Sequence, residues 1–329
     1  MLIYIGSSAG GDGISVFSVA PDGSLTPVGA PVAVEAPMHL VRHPALPVMY
    51  AVNTLEDGAA TALRIGEDGA LEPFSRQPTG GAQPVYAAVA PDGRHLVCAN
   101  WGGKGGVSVL PLTADGSIGA LTDFVAPSQD VDSYAHHVSF RGDEATIVFL
   151  GLGEIRGYQL TEAGTLAHRW TAPARDAKAG PRHLARHPSG RCYVSDELAC
   201  AVSAYDPDPS GGLRHVAAYK AATVPPVSLD RNHPSEVALS PDGRFLYLAN
   251  RGSDTISVFA VAHDTLDLIG ETSTGGIFPQ HFAIADPWIF VAHERSHEVT
   301  LLYRNQATGL LTPHGTVARV TNAAFILVG

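Results

Sequence analysis

The sequence predicts an all-β fold, a seven-bladed β-propeller with four antiparallel strands per blade. Three observations predict it. The chain repeats itself every 43 to 53 residues, within the range of propeller blades. Its 35 Gly and 24 Pro are spread without a collagen-like period, as many tight turns between short elements require. The last repeat is cut short at the C-terminus, and its missing strands stand at the N-terminus.

Each repeat opens with a short inner strand, then a Pro/Asp/Gly turn, then an apolar strand closed by a polar residue. AVAPDGRHLVCAN at 88–100 and VALSPDGRFLYLAN at 237–250 are nearly identical copies, and four weaker ones begin at 39, 137, 183 and 281. The residue at one fixed place in each inner strand is His39, Tyr86, His137, His183, Glu236 and His281. A seventh inner strand is expected over 322–328, with Ala324 at the matching place. A third strand follows in each repeat, as in GVSVLPL at 106–112 and TISVFAV at 255–261. A fourth is marked by turns such as DGALEPF at 68–74, which completes the four-stranded blade.

The second and third strands of the seventh repeat are LIYIG at 2–6 and GISVFSVA at 13–20. Pairing the two ends within one blade removes the sheet edges that an open array would expose. Residues 1–329 are therefore expected to form one propeller domain.

Composition excludes several function classes. With 45% apolar and 16% charged residues the chain can bury a large core. A formal charge of −11 without any Lys/Arg run disfavours nucleic acid and anionic membranes as partners. A small anion remains compatible, because two or three local arginines outweigh a diffuse, salt-screened field. The start MLIYIGSSAGGDG lacks the basic and apolar regions of a secretory signal, and no stretch reaches 18 apolar residues, so a cytoplasmic location is expected. Cys98, Cys192 and Cys200 lie in or near apolar strands and read as reduced, buried thiols.

Function in a propeller is sought where inner strands begin, at one mouth of the central channel. The residues one before the marker positions are Met38, Val85, His136, Arg182, Ser235 and Gln280, and strand alternation predicts that they face away from the markers. His136 and Arg182 come from adjacent blades, and two more charged residues, Glu197 and Arg251, close second strands nearby. Each has a structural reading: a turn-capping histidine, a loop-bracing arginine, a surface ion pair, a solvated turn. Together they supply an imidazole, a carboxylate and two fixed cations, the parts that ester hydrolysis needs to activate water and stabilise an oxyanion. His183, Gln280, His281, Asn250 and Asn100 are expected to contact the substrate. No spaced ligand signature such as HExxH or a Cys pair is present, so neither metal nor cofactor is expected. GSSAGGDG and NWGGKGG lead into no helix and read as hairpin loops.

These segments carry a resemblance across the whole chain. YAVN at 50–53, CANWGGKGGVSVLPL at 98–112, the histidine of AHHVSF, GPRHLARHP at 180–188, VSDELACAVSAYD at 194–206 and PDGRFLYLANRGSDTISVF at 241–259 resemble the seven-bladed propeller lactonases. That group includes the propeller-type 6-phosphogluconolactonases and, more distantly, the carboxymuconate cycloisomerases. GPRH, the downstream glutamate and LANR are its specific part. The resemblance implies a sugar-lactone hydrolase acting on a small molecule, without cofactor or obligate protein partner. It implies His136, Arg182, Glu197 and Arg251 as catalytic, with His136 or Glu197 as the base. Where relatives often read P-R-x-F, this chain has Pro279-Gln280-His281-Phe282, one cation fewer for an anionic substrate tail. Two other readings use the same residues or none of them: lactone formation or isomerisation of the cycloisomerase kind, and a binding propeller without chemistry. The latter would need an exposed apolar face, and the chain has only three tryptophans, Trp101, Trp170 and Trp288.

Overall fold

The computed structural model describes residues 1–128, 130–209, 211–263 and 265–329. Its described residues form 28 strands in seven four-stranded antiparallel sheets and contain no helix. We number the blades by their inner strands: Pro37–Arg42, Pro84–Val89, Ala135–Arg141, Pro181–Arg186, His233–Leu239, Pro279–Ala285 and Ala323–Val328. In blades 1 to 6 the other three strands follow in chain order. In blade 7 they are Leu2–Ser7, Ile14–Val19 and Leu25–Pro27, so the two ends of the chain share a sheet. The closure register pairs Ile3 with Val328, Tyr4 with Leu327 and Ile5 with Ile326.

The core lies between blades. Val97, Val107 and Val109 of blade 2 pack on Val138, Ile147 and Phe149 of blade 3. Blade 7 is held on both sides, Ile3 and Ile5 meeting Phe290 and Val299 of blade 6 while Tyr4 and Val16 meet Leu40 and Met49 of blade 1. Because each blade is covered on two faces, its second strand is buried almost throughout and mostly apolar rather than alternating, as in Val48–Asn53 and His95–Asn100. The outermost strands, such as Leu71–Pro78, are largely solvated.

The Pro/Asp/Gly signals are tight turns. Asp92 and Asp242 each accept the backbone N–H two residues on, and Gly93 and Gly243 take the left-handed conformation (φ +72° and +73°) that a side chain disfavours. Repeat three, with RGDEAT, turns instead through Gly142 and Asp143, between the paired residues Arg141 and Glu144. The departure changes only that loop.

Two sequence expectations need correction. The seventh marker is Phe325, not Ala324: Phe325 pairs with Gly6 as His281 pairs with Ala292, and its ring lies 4.0 Å from His281 and 4.2 Å from His39. Alternation also fails where it matters. Every inner strand carries a register shift at its start, as between Pro37 and His39 or Ala135 and His137, and a bulge places consecutive residues on one side of the strand. His136 and His137 therefore both reach the ring of His183, at 5.2 and 5.7 Å.

Candidate active site

The polar residue that closes each second strand is a latch inside the blade. Asn100 Nδ2 donates to Ser108 Oγ at 2.7 Å, and Ser108 donates onward to the Thr79 carbonyl. Asn250 Nδ2 donates to Ser257 Oγ at 2.9 Å, and Ser257 to the Ala221 carbonyl. Both asparagines are fully buried. Their amide N–H groups are spent on the neighbouring strand, so the expected substrate contacts of Asn100 and Asn250 are not what the structure places there. Asp196 takes the same place in blade 4, bonded to Ser203, and burial pushes its carboxyl up to about 7.

One residue beyond the latch the chain reaches the mouth. Glu197 stands there with Arg182 Nε and Arg251 Nη2 both on its Oε2, at 3.0 and 2.8 Å, and with His233 Nδ1 3.7 Å from Oε1. The side chains of Arg182, Arg251 and Glu197 are 3%, 8% and 18% exposed. Burial opposes charge on Glu197, but Arg251, His233 and Arg182 outweigh it and hold the carboxyl well below its ordinary range. Burial, with the nearby positive charge of Arg251, lowers Arg182 to about 10. Arg251 also donates to the carbonyls of His233 and Pro234 and to Gln280 Oε1.

Behind this cluster the markers form a buried layer. Arg182 Nη1 donates to His183 Nε2 at 3.1 Å, which leaves the proton of that neutral ring on Nδ1, donating to Glu236 Oε2 at 2.8 Å. His281 accepts the Ile326 N–H at Nδ1 and turns Nε2 to Glu236, 3.4 Å away. Burial raises Glu236 to about 8 despite Arg182, and lowers His137 and His281 to about 3. Tyr86 packs against His39, His137 and His183. His136 is buried and neutral, its basicity lowered by desolvation and by Arg182, and its Nδ1 has no partner among the described residues.

The structure thus brings together His136, Arg182, Glu197, Arg251, His183, Gln280 and His281. No ion pair joins His136 to Glu197 among the described residues, so the glutamate does not orient that histidine. Glu236 and His233 complete the cluster and were missed. Glu236 stands at the marker place that histidine fills in four other repeats, a visible signal; His233, next to a proline, carried none. No group of three or more His, Cys, Asp or Glu among the described residues is arranged to hold a metal ion; Glu236 hydrogen-bonds to His183 and lies 3.4 Å from His281. Cys98 and Cys192 are buried thiols raised by burial, whereas Cys200, expected to be buried, is only half-buried.

The whole chain, residues 2–328, matches the family of lactonases with a seven-bladed β-propeller. The chain belongs to this lactonase family. A 6-phosphogluconolactonase of Pectobacterium carotovorum is 32% identical over 273 residues, which cover 80% of this chain and 79% of that protein. One of Bacillus subtilis is 29% identical over 287 residues, with the same coverage. A solved structure from Lactobacillus plantarum superposes with a TM-score of 0.89 at 26% identity, covering 99% and 98% of the two chains. The periplasmic gluconolactonase of Pseudomonas aeruginosa shares the fold, with a TM-score of 0.88 at 24% identity over 99% of both chains. Membership makes this chain an enzyme of the lactonase type. A periplasmic protein with the same fold means that the propeller itself sets no compartment, and no described helix is long and apolar enough to cross a membrane.

Proposed function

We propose that this lactonase opens a sugar lactone, 6-phosphogluconolactone, to its acid, and that the mouth built on Glu197 is where it does so. The observation that carries the reading is the convergence of Arg182 and Arg251 on one oxygen of Glu197, beside an uncharged imidazole with an unpartnered nitrogen.

Glu197 is a poor base in this setting. Its Oε2 is held by two guanidiniums, and a carboxylate kept well below its ordinary range has little affinity for a proton. Its work is to fix both cations. We assign the base to His136: desolvation and Arg182 keep it neutral at neutral pH, and its enclosed Nδ1, which hydrogen-bonds to no described residue, is the nitrogen left to meet a water that enters with the substrate. As that water adds to the lactone carbonyl, its proton passes to His136 and the carbonyl oxygen becomes an oxyanion. Arg182, whose Nε lies 3.0 Å from Glu197 but makes no hydrogen bond to a described residue, and Arg251 are the donors for that charge. Collapse restores the carbonyl, breaks the ring C–O bond and returns the proton from His136 to the leaving ring oxygen. The donors are held before reaction, Arg182 through His183 and Glu236 and Arg251 through Gln280, so little reorganisation opposes the charge.

The test is an assay of purified protein against phosphorylated and neutral aldonolactones, with a carboxymuconate alongside. Consumption of a lactone with release of its open acid supports the proposal. Turnover of the carboxymuconate alone would transfer the site to the cycloisomerase reaction, and no consumption of any lactone would sink the hydrolase reading.

A further inference from the structure

At five of the seven blades a residue other than glycine takes a left-handed turn just before its inner strand: Ala36, Gln83, Tyr134, Phe278 and Asn322, with φ from +42° to +65°. Such a conformation disfavours an L-residue, and each of these residues directly precedes the inner strand of its blade. Phe278 has the largest φ of the five and the firmest hold. Its N–H donates to Asp254 Oδ1 at 2.9 Å, its carbonyl accepts the Glu294 N–H, and the Ile277 N–H reaches Ser296 Oγ at 2.9 Å. The ring so placed carries two guanidiniums, Arg251 at 5.1 Å from its centre and Arg295 at 4.3 Å.

Arg251 is buried and bound to Glu197, Gln280 and the carbonyls of His233 and Pro234. Arg295 is exposed and forms no ion pair with a described carboxylate, Glu294 beside it included. A guanidinium stacked on an aromatic ring keeps its N–H edge free for an oxyanion while its flexibility is reduced. From these observations we infer that Arg295 is a specificity-determining residue, binding an anionic group at the end of the lactone remote from its carbonyl. The inference rests on the lactonase reading of the mouth. Gln280, on the same strand as the Phe278 turn, is neutral and bound to Arg251, so the second cation on this side comes instead from the end of the second strand of blade 6. A phosphomonoester is the fitting group, since its three oxygens accept the planar fork directly.

The ratio of kcat/KM for 6-phosphogluconolactone to that for unphosphorylated gluconolactone tests this. In Arg295→Ala the ratio should fall about five- to tenfold through a higher KM for the phosphorylated lactone, the span expected for one solvent-exposed charge-assisted contact. Arg295→Glu should lower it further, and Arg295→Lys should restore part of it, which mere packing on Phe278 would not do. An unchanged ratio in all three variants, with the parent protein hydrolysing both lactones, would overturn the inference alone. A parent protein that consumes neither lactone would overturn the hydrolase reading, and this inference with it.

Discussion

Two guanidiniums on one carboxylate oxygen in a nearly closed site make Glu197 an anchor rather than a reagent. Glu197→Gln should therefore cost stability as well as rate, about 3 kcal/mol, the low end for breaking a buried ion pair because the carboxylate is partly solvated. Thermal melts measure it. The folded-state pKa of Glu197 is depressed, so its contribution is present above the ordinary carboxylate range and lost as pH falls through it; the gap in Tm between parent and variant should narrow on acidification. Glu236 has the opposite sign. Its carboxyl is raised from 4.5 to about 8, so folding is favoured by its proton below pH 4.5 and that contribution drains away as pH rises toward 8. Glu236→Gln, which keeps the neutral form, should gain on the parent across that window by on the order of 1 kcal/mol per pH unit, read from urea midpoints at pH 5 and 8. A constant difference would mean that Glu236 is already ionised at pH 5. Arg182 was legible because the same place holds Met38, Val85, Ser235 or Gln280 in four other repeats, and Glu197 and Arg251 because each is a charge directly after the polar residue that closes a second strand. Which of them is base and which is anchor was not legible, because that depends on two arginines meeting a glutamate from three different strands.

At the scale of strands, the repeat was readable to the residue in six blades and slipped by one in the seventh, where Ala324 was expected at the place Phe325 fills. The cause is physical. The marker in blade 7 is aromatic among apolar neighbours, so polarity no longer distinguished one residue from the next. Alternation misled for a related reason: a bulge at the start of each inner strand turns two consecutive side chains inward, and nothing in the residue pattern of AHHVSF shows that an extra residue has been absorbed. The asparagines were misread because a polar residue at a strand end suits a ligand and a latch equally well. Asn100→Ala should lower stability by about 1–3 kcal/mol, because Ser108 and the carbonyls of Cys98 and Gly106 lose a buried donor, and leave KM for the lactone within twofold. A large rise in KM at unchanged Tm would return Asn100 to the substrate.

At the scale of the molecule, the ring was the most legible feature, since seven copies of one unit and a split repeat admit few other arrangements. Removing residues 322–329 takes away the inner strand of blade 7 and frees one edge of Leu2–Ser7, whose Ile3 and Ile5 pack on blade 6. The shortened chain should lose the cooperative melt of the full chain and associate in size-exclusion chromatography. The closed ring also explains why the site is built from inner strands and strand ends of several blades: blades 3 to 6 supply its side chains, and closure holds those blades in register. The kcat of Arg182→Ala on the lactone tests that account most directly, with Arg182→Lys as a control that keeps the charge. Loss of a preset donor to the oxyanion is worth about 2.7–4 kcal/mol, so kcat should fall by roughly a hundredfold or more in the alanine variant, with part of it recovered in the lysine variant and a cooperative melt retained in both. A folded Arg182→Ala protein with near-parental kcat would contradict the assignment of this mouth as the place where the lactone opens.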